Sequence, residues 1–125
     1  MVCSTAILST SFALSLLRHS TPPTQSFVLS PFSLTTALSV IHDGAAEDTQ
    51  KELNSLLLNG CTDHNVTDLY SSIVREIHTE GNVVTFTAAN RFYLDETISL
   101  KHDYQKHVKD NYNATVRHMR PSGLG

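Results

Sequence analysis

The stretch from Ser30-Pro31 to His42 constrains this chain more than any other. Ser30 followed by Pro31 reads as a helix N-cap with proline in the first helical position, where its missing N–H is no loss. Phe32, Leu34, Ala37, Leu38, Val40 and Ile41 then set apolar side chains nearly all round that helix, the pattern of a buried element rather than a surface one. Such a helix needs neighbours on several sides, and 125 residues must supply them. Hydrophobic residues make up 40%, charged residues 17% and aromatics 7%, too apolar for a disordered chain and too interrupted for a membrane protein. No run approaches the roughly 20 apolar residues that span a bilayer. A formal charge of −3 provides no overall basic field, which argues against a nucleic-acid partner.

The candidate neighbours are read from periodicity. Ile7, Leu8, Phe12, Leu16 and Leu17 share one helical face, so an amphipathic helix is expected up to His19, stopped by Thr21-Pro22-Pro23. Ser26-Phe27-Val28-Leu29 is an apolar run too short for a helix. Gly44 is placed to end the central helix in a left-handed conformation, and Asp48 or Thr49 to cap a third, striped with Leu53, Leu56 and Leu57 and closed by Asn59-Gly60. Thr67-Asp68 predicts a fourth cap, with Leu69, Ile73, Val74 and Ile77 on one side and Glu80-Gly81-Asn82 as the turn out. From Val83 to Leu94 the β-branched and aromatic content predicts one long strand. Leu100, Tyr104, Val108 and Tyr112 recur every four residues as a fifth helix, ended by Asn113, and Ala114 to Met119 reads as a short strand. Residues 120–125 read as a disordered tail.

Fourteen Ser and fourteen Thr favour caps, turns and polar strand faces. Two cysteines, Cys3 and Cys61, are too few for a disulfide scaffold, and their redox state stays open. The first 17 residues lack a basic n-region and are interrupted by Ser and Thr, so no signal peptide is read there and the cytosol is favoured. If the chain is secreted, Asn65-Val66-Thr67 and Asn113-Ala114-Thr115 are glycosylation sequons on Asn65 and Asn113.

The ordered motifs carry a family resemblance. Phe12-Ala13-Leu14-Ser15-Leu16-Leu17, then Phe27-Val28-Leu29-Ser30-Pro31-Phe32-Ser33-Leu34, then Gly44-Ala45 with Thr49 resemble the opening of a serpin. Ala88-Ala89-Asn90-Arg91-Phe92-Tyr93-Leu94-Asp95, followed by Leu100, Tyr104, Tyr112 and Ala114, continue the match. The resemblance implies an α+β, truncated serpin fold: helices A to E, part of sheet A and one sheet B strand. Residues 1–125 would be the N-terminal portion of a serpin domain, and the central apolar helix would be helix B. It further implies the class of serine-type endopeptidase inhibitors, with serine and sometimes cysteine proteases as partners, trapped when a cleaved reactive loop inserts into sheet A. Extracellular placement is the family's alternative location. Ser30, Pro31 and Ser33 match the family's conformational shutter.

The same resemblance places the reactive loop beyond Gly125, so the 125 residues are expected to be non-inhibitory. No reactive-centre bond is assigned. The alternatives are an interaction module that pairs an exposed sheet edge with another serpin, or an incomplete gene model with no independent activity. Helix D of some serpins binds heparin, yet Asp68 to Glu80 offers only Arg75 among acidic residues, so heparin binding does not carry over. Lys101, Lys106 and Lys109 read as a solvated helix face. Cys61-Thr62-Asp63-His64 has ligand-like residue types, but no second cluster completes a metal site. No catalytic residue, cofactor or metal is predicted, and no nucleophile elbow occurs, so the chain is not expected to be an enzyme.

Overall fold

The computed structural model describes residues 5–20, 24–59, 61, 64–77 and 89–120. The chain divides into two compact units, Met1–Leu69 and Tyr70–Gly125.

The first unit is helical. Helix α1 (Thr5–His19) ends with His19 Nδ1 bonded to the Ser15 carbonyl at 2.7 Å. Helix α2 (Pro31–Gly44) lies against both α1 and α3 (Glu47–Leu58), and α4 (Val66–Ile77) begins in this unit. Leu8, Val40, Leu57, Leu58, Cys61, Val66 and Leu69 are its buried apolar side chains.

Helix α2 departs from the all-round apolar expectation. Its buried residues are Thr35, Thr36, Ser39, Val40 and His42, whereas Leu34 is 40% and Ile41 50% exposed. Burial follows hydrogen-bond satisfaction here. Thr35 Oγ1 donates to the carbonyls of Pro31 (3.1 Å) and Phe32 (3.0 Å), Thr36 Oγ1 to Phe32 (2.9 Å) and Ser39 Oγ to Thr35 (2.7 Å). A hydroxyl bonded to its own helix is desolvated cheaply, so this side of α2 is buried as readily as an apolar one. Phe27-Val28-Leu29, expected as a sheet B strand, joins no ladder among the described residues, and Val28 is 97% exposed.

Two helix boundaries also differ from the sequence reading. Helix α2 runs through Gly44 and ends at Ala45 in an extended conformation, with the Ala45 N–H bonded to the His42 carbonyl. Helix α3 begins at Glu47, ahead of Asp48 and Thr49, and its cap position, Ala46, makes no side-chain hydrogen bond. Glu47 itself has φ 51°, a left-handed value that a side chain with a Cβ disfavours. Asn59 closes α3 in the left-handed region (φ 44°), as its type suggested, while Gly60 lies outside the described residues.

The second unit is a β-α-β arrangement. Strand β1 (Asn90–Asp95) and strand β2 (Ala114–Met119) pair in parallel, Asn90 opposite Ala114 and Asp95 opposite Met119. Helix α5 (His102–Tyr112) connects them and packs on β2. A parallel pair requires a crossover, and the apolar spacing ending at Val108 and Tyr112 supplies one with a buried stripe. Asn113 ends α5 at φ 51°, and Asn90 Nδ2 donates to the Tyr112 carbonyl at 3.3 Å, fastening the start of β1 to the end of α5. Burial raises the Tyr70 phenol above its ordinary pKa. After β1, Thr97 gives both its N–H and its hydroxyl to Asp95 Oδ1, at 2.8 and 2.6 Å, which holds that carboxyl below its ordinary range. The expected turn at Glu80-Gly81-Asn82 and the segment Val83 to Thr87 lie outside the described residues, as do 121–125. Arg120 pairs with Glu96 at 3.0 Å.

Glu47 offers a direct test of the backbone geometry. Glu47→Gly should stabilise the chain by about 0.5–1 kcal/mol, read from the urea midpoint, because glycine adopts positive φ without a Cβ clash. A lowered midpoint would mean that the carboxylate's attraction to the α3 N-terminus, about 0.3–1 kcal/mol, outweighs the strain.

Candidate functional site

The shutter residues that the sequence singled out, Ser30, Pro31 and Ser33, lie at the start of α2. At its start Ser30 is a true N-cap. Its backbone is non-helical (φ −113°, ψ 95°), its Oγ accepts the Ser33 N–H at 3.3 Å, and its hydroxyl donates to Ser33 Oγ at 3.0 Å. Pro31 occupies the first turn, and its carbonyl accepts the Thr35 hydroxyl. Ser30 and Ser33 are exposed and Pro31 is half-buried, so the three form a fastened corner, not a pocket.

The other end of α2 holds a polar cluster that sequence reasoning missed. The Asp43 side chain is 3% exposed, and its Oδ1 receives both His42 Nδ1 at 3.0 Å and the Thr67 hydroxyl at 2.7 Å. The bond from Thr67 joins the first turn of α4 to the last turn of α2. A carboxylate so enclosed needs such donors, since an unpaired buried charge costs several kcal/mol. The available signal was Asp43 itself, a charge in the last turn of a helix whose other residues demand burial. Asn65, read in the sequence only as a sequon, is the real cap of α4: its Oδ1 accepts the N–H groups of Thr67 (2.9 Å) and Asp68 (3.4 Å), where the sequence reading gave that role to Thr67-Asp68.

Hydroxyl, carboxylate and imidazole side by side suggest hydrolytic chemistry, but their order is wrong for it. A nucleophilic hydroxyl must give its proton to the imidazole while the carboxylate orients the far ring nitrogen. Here Asp43 sits in the middle and takes both hydrogen bonds, leaving the Thr67 hydroxyl without a base. The cluster holds helices together.

The ligand-like residues around Cys61 do not assemble either. Cys61 is buried and disulfide-bonded, hence no thiolate ligand; His64 is exposed, and Thr62 and Asp63 lie outside the described residues. Among the described residues no group of three His, Cys, Asp or Glu side chains could hold a metal ion. No described helix is long and apolar enough to cross a membrane. Lys106 is paired with Asp110 at 2.9 Å on the exposed face of α5, which raises its ammonium pKa.

Known proteins resolve what this helical unit and β-α-β unit belong to. A family model described as serpin (serine protease inhibitor) matches residues 8–123. The chain belongs to the serpin family. Among curated serpin relatives, Ipis-1 of Ixodes persulcatus is 31% identical over 88 residues, covering 70% of this chain and 23% of its own length. Serine protease inhibitor 42Dd of Drosophila melanogaster is 30% identical over 91 residues, covering 72% of this chain and 24% of its own. The chain thus spans about a quarter of the length of the curated relatives it matches. A solved complex of thyroxine-binding globulin with thyroxine superposes with a TM-score of 0.84 at 20% identity, over 94% of this chain and 33% of that one. The fold is that of a serpin segment, α+β, with five helices and a two-stranded sheet among the described residues.

The polar tie between α2 and α4 carries a measurable share of stability. In unglycosylated, bacterially expressed protein, Thr67→Val should lower unfolding free energy by about 2 kcal/mol in urea titration, the usual worth of a hydrogen bond to a charged group. Thr67→Ser, which retains the hydroxyl, should lose much less. Equal losses in both variants would show that the methyl contact, and not the bond to Asp43, holds the junction.

Proposed function

We propose that this serpin segment serves protease inhibition as a conformational support and is not the part that meets the protease. The observation that carries this reading is the construction of α2. Its start is fastened by Ser30 and Ser33, its buried hydroxyls are satisfied within the helix, and Leu34 and Ile41 remain exposed as an apolar seat. Serpins with inhibitory activity open a sheet above this helix to admit a cleaved reactive loop, and Ser30, Pro31 and Ser33 match the corner about which that opening occurs. In this role the residues change no bond. They hold the base while the sheet rearranges.

Loop insertion requires both a loop and a receiving sheet, and the sheet among the described residues, β1 with β2, is too narrow to receive one between central strands. The 125-residue polypeptide incubated with a panel of serine proteases should therefore give no covalent complex that survives denaturing electrophoresis. A stable higher-mass band containing both proteins would overturn this reading.

The sheet favours a second reading. Among the described residues β1 and β2 pair only with each other, leaving each strand one open edge, and unpaired edges recruit further strands. On this reading the chain is an interaction module that adds its strands to another serpin. Immobilised 125-residue protein should then retain a full-length serpin from a pool of relatives, with amide protection appearing along β1 or β2; no retention would remove this reading and leave the first intact.

A further inference from the structure

Two asparagines carry chemistry that neither conformational support nor strand pairing uses. Asn65-Val66-Thr67 opens α4, and Asn113-Ala114-Thr115 joins α5 to β2. Both tripeptides have a hydroxyl at the third position and no proline at the second, the pattern that N-glycosylation recognises. Both asparagines are exposed and stand at helix ends, Asn65 as the cap of α4 and Asn113 in the left-handed position that closes α5.

The bonding of each side chain decides whether it can carry a sugar in the folded protein. Asn65 uses only its Oδ1, which accepts the N–H groups of Thr67 and Asp68, while its Nδ2 makes no hydrogen bond with any described residue. A substituent on Nδ2 therefore leaves the α4 cap intact. The Asn113 backbone N–H is bonded to the carbonyls of Lys109 and Val108, its side chain makes no hydrogen bond with any described residue, and the residue is exposed.

A separate observation points to the compartment. Cys61, four residues before Asn65, is disulfide-bonded; the sequence holds one other cysteine, Cys3, which lies outside the described residues. Structural disulfides persist in oxidising compartments such as the endoplasmic reticulum lumen and outside the cell, the route on which asparagine-linked sugars are added. We propose that Asn65 and Asn113 are N-glycan acceptors and that this chain matures in the secretory pathway. In each transfer Nδ2 forms a bond to the anomeric carbon of an oligosaccharide carried on a polyprenyl diphosphate. The bond from that carbon to the diphosphate breaks, the polyprenyl diphosphate departs with the electron pair, and the amide proton passes to a base of the transferase.

Translation of the full 125-residue chain behind a cleavable endoplasmic-reticulum signal, in the presence of microsomes, tests this directly. Two mobility steps are expected, both removed by peptide N-glycosidase, which leaves aspartate in place of each glycosylated asparagine. Asn65→Asp should abolish one step while keeping a carboxylate oxygen for the α4 cap. Thr115→Val should abolish the other while keeping a β-branched residue in β2. An unshifted chain, or a single step, would overturn the assignment of both sites. Denatured but unreduced luminal product should take up no maleimide; labelling of Cys61 would remove the compartment argument whether or not the variants fold.

Discussion

The hydrogen bonds that α2 makes to itself set the terms for the rest of the first unit. Three hydroxyls on its buried side, those of Thr35, Thr36 and Ser39, are returned to carbonyls of the preceding turn. Without that, desolvating each would cost on the order of 1–3 kcal/mol, and no neighbouring side chain would be small enough to compensate all of them at close approach. With it, that side of α2 can be buried in the helical unit in which α1 and α3 lie against the helix. Leu57 and Leu58 of α3 are buried, as is Val40 of α2.

Much of this architecture was legible in the residues. The Ser30-Pro31 start, the α1 end at His19, the Val108–Tyr112 stripe of α5, its close at Asn113 and the span of β2 all follow from capping chemistry and period, which act within a few residues. What was not legible depends on tertiary partners. Periodicity counts Leu34 and Ile41 as core because they are apolar, yet exposure depends on what lies opposite. His42 beside Asp43 does not by itself mark the carboxylate as buried, and only the fold brings Thr67, distant in sequence, to its oxygen. Asn65 was read as a modification signal, and its competing role as a cap was hidden because Thr67 and Asp68 are capping types as well.

The family match and the local chemistry meet at the α2 start. Similarity to solved serpins at 20% identity establishes the fold, and the match over residues 8–123 establishes the family. Neither assigns work to individual side chains. The Ser30–Ser33 bond and the internally satisfied hydroxyls provide a physical reason for small hydroxyl residues at these places: they fix the helix end and present a smooth, narrow surface.

That surface has a consequence for motion. From Thr35 to Ser39 the buried hydroxyls of α2 are bonded to the helix's own carbonyls, and the tie to a neighbour, from Thr67 to Asp43, is confined to its last turn. An element sliding across Thr35, Thr36 and Ser39 meets only methyl and methylene contacts, each individually worth a few tenths of a kcal/mol and remade at once on the next turn. Over that stretch the helix acts as a dry bearing, anchored at its last turn by the bond between Asp43 and Thr67.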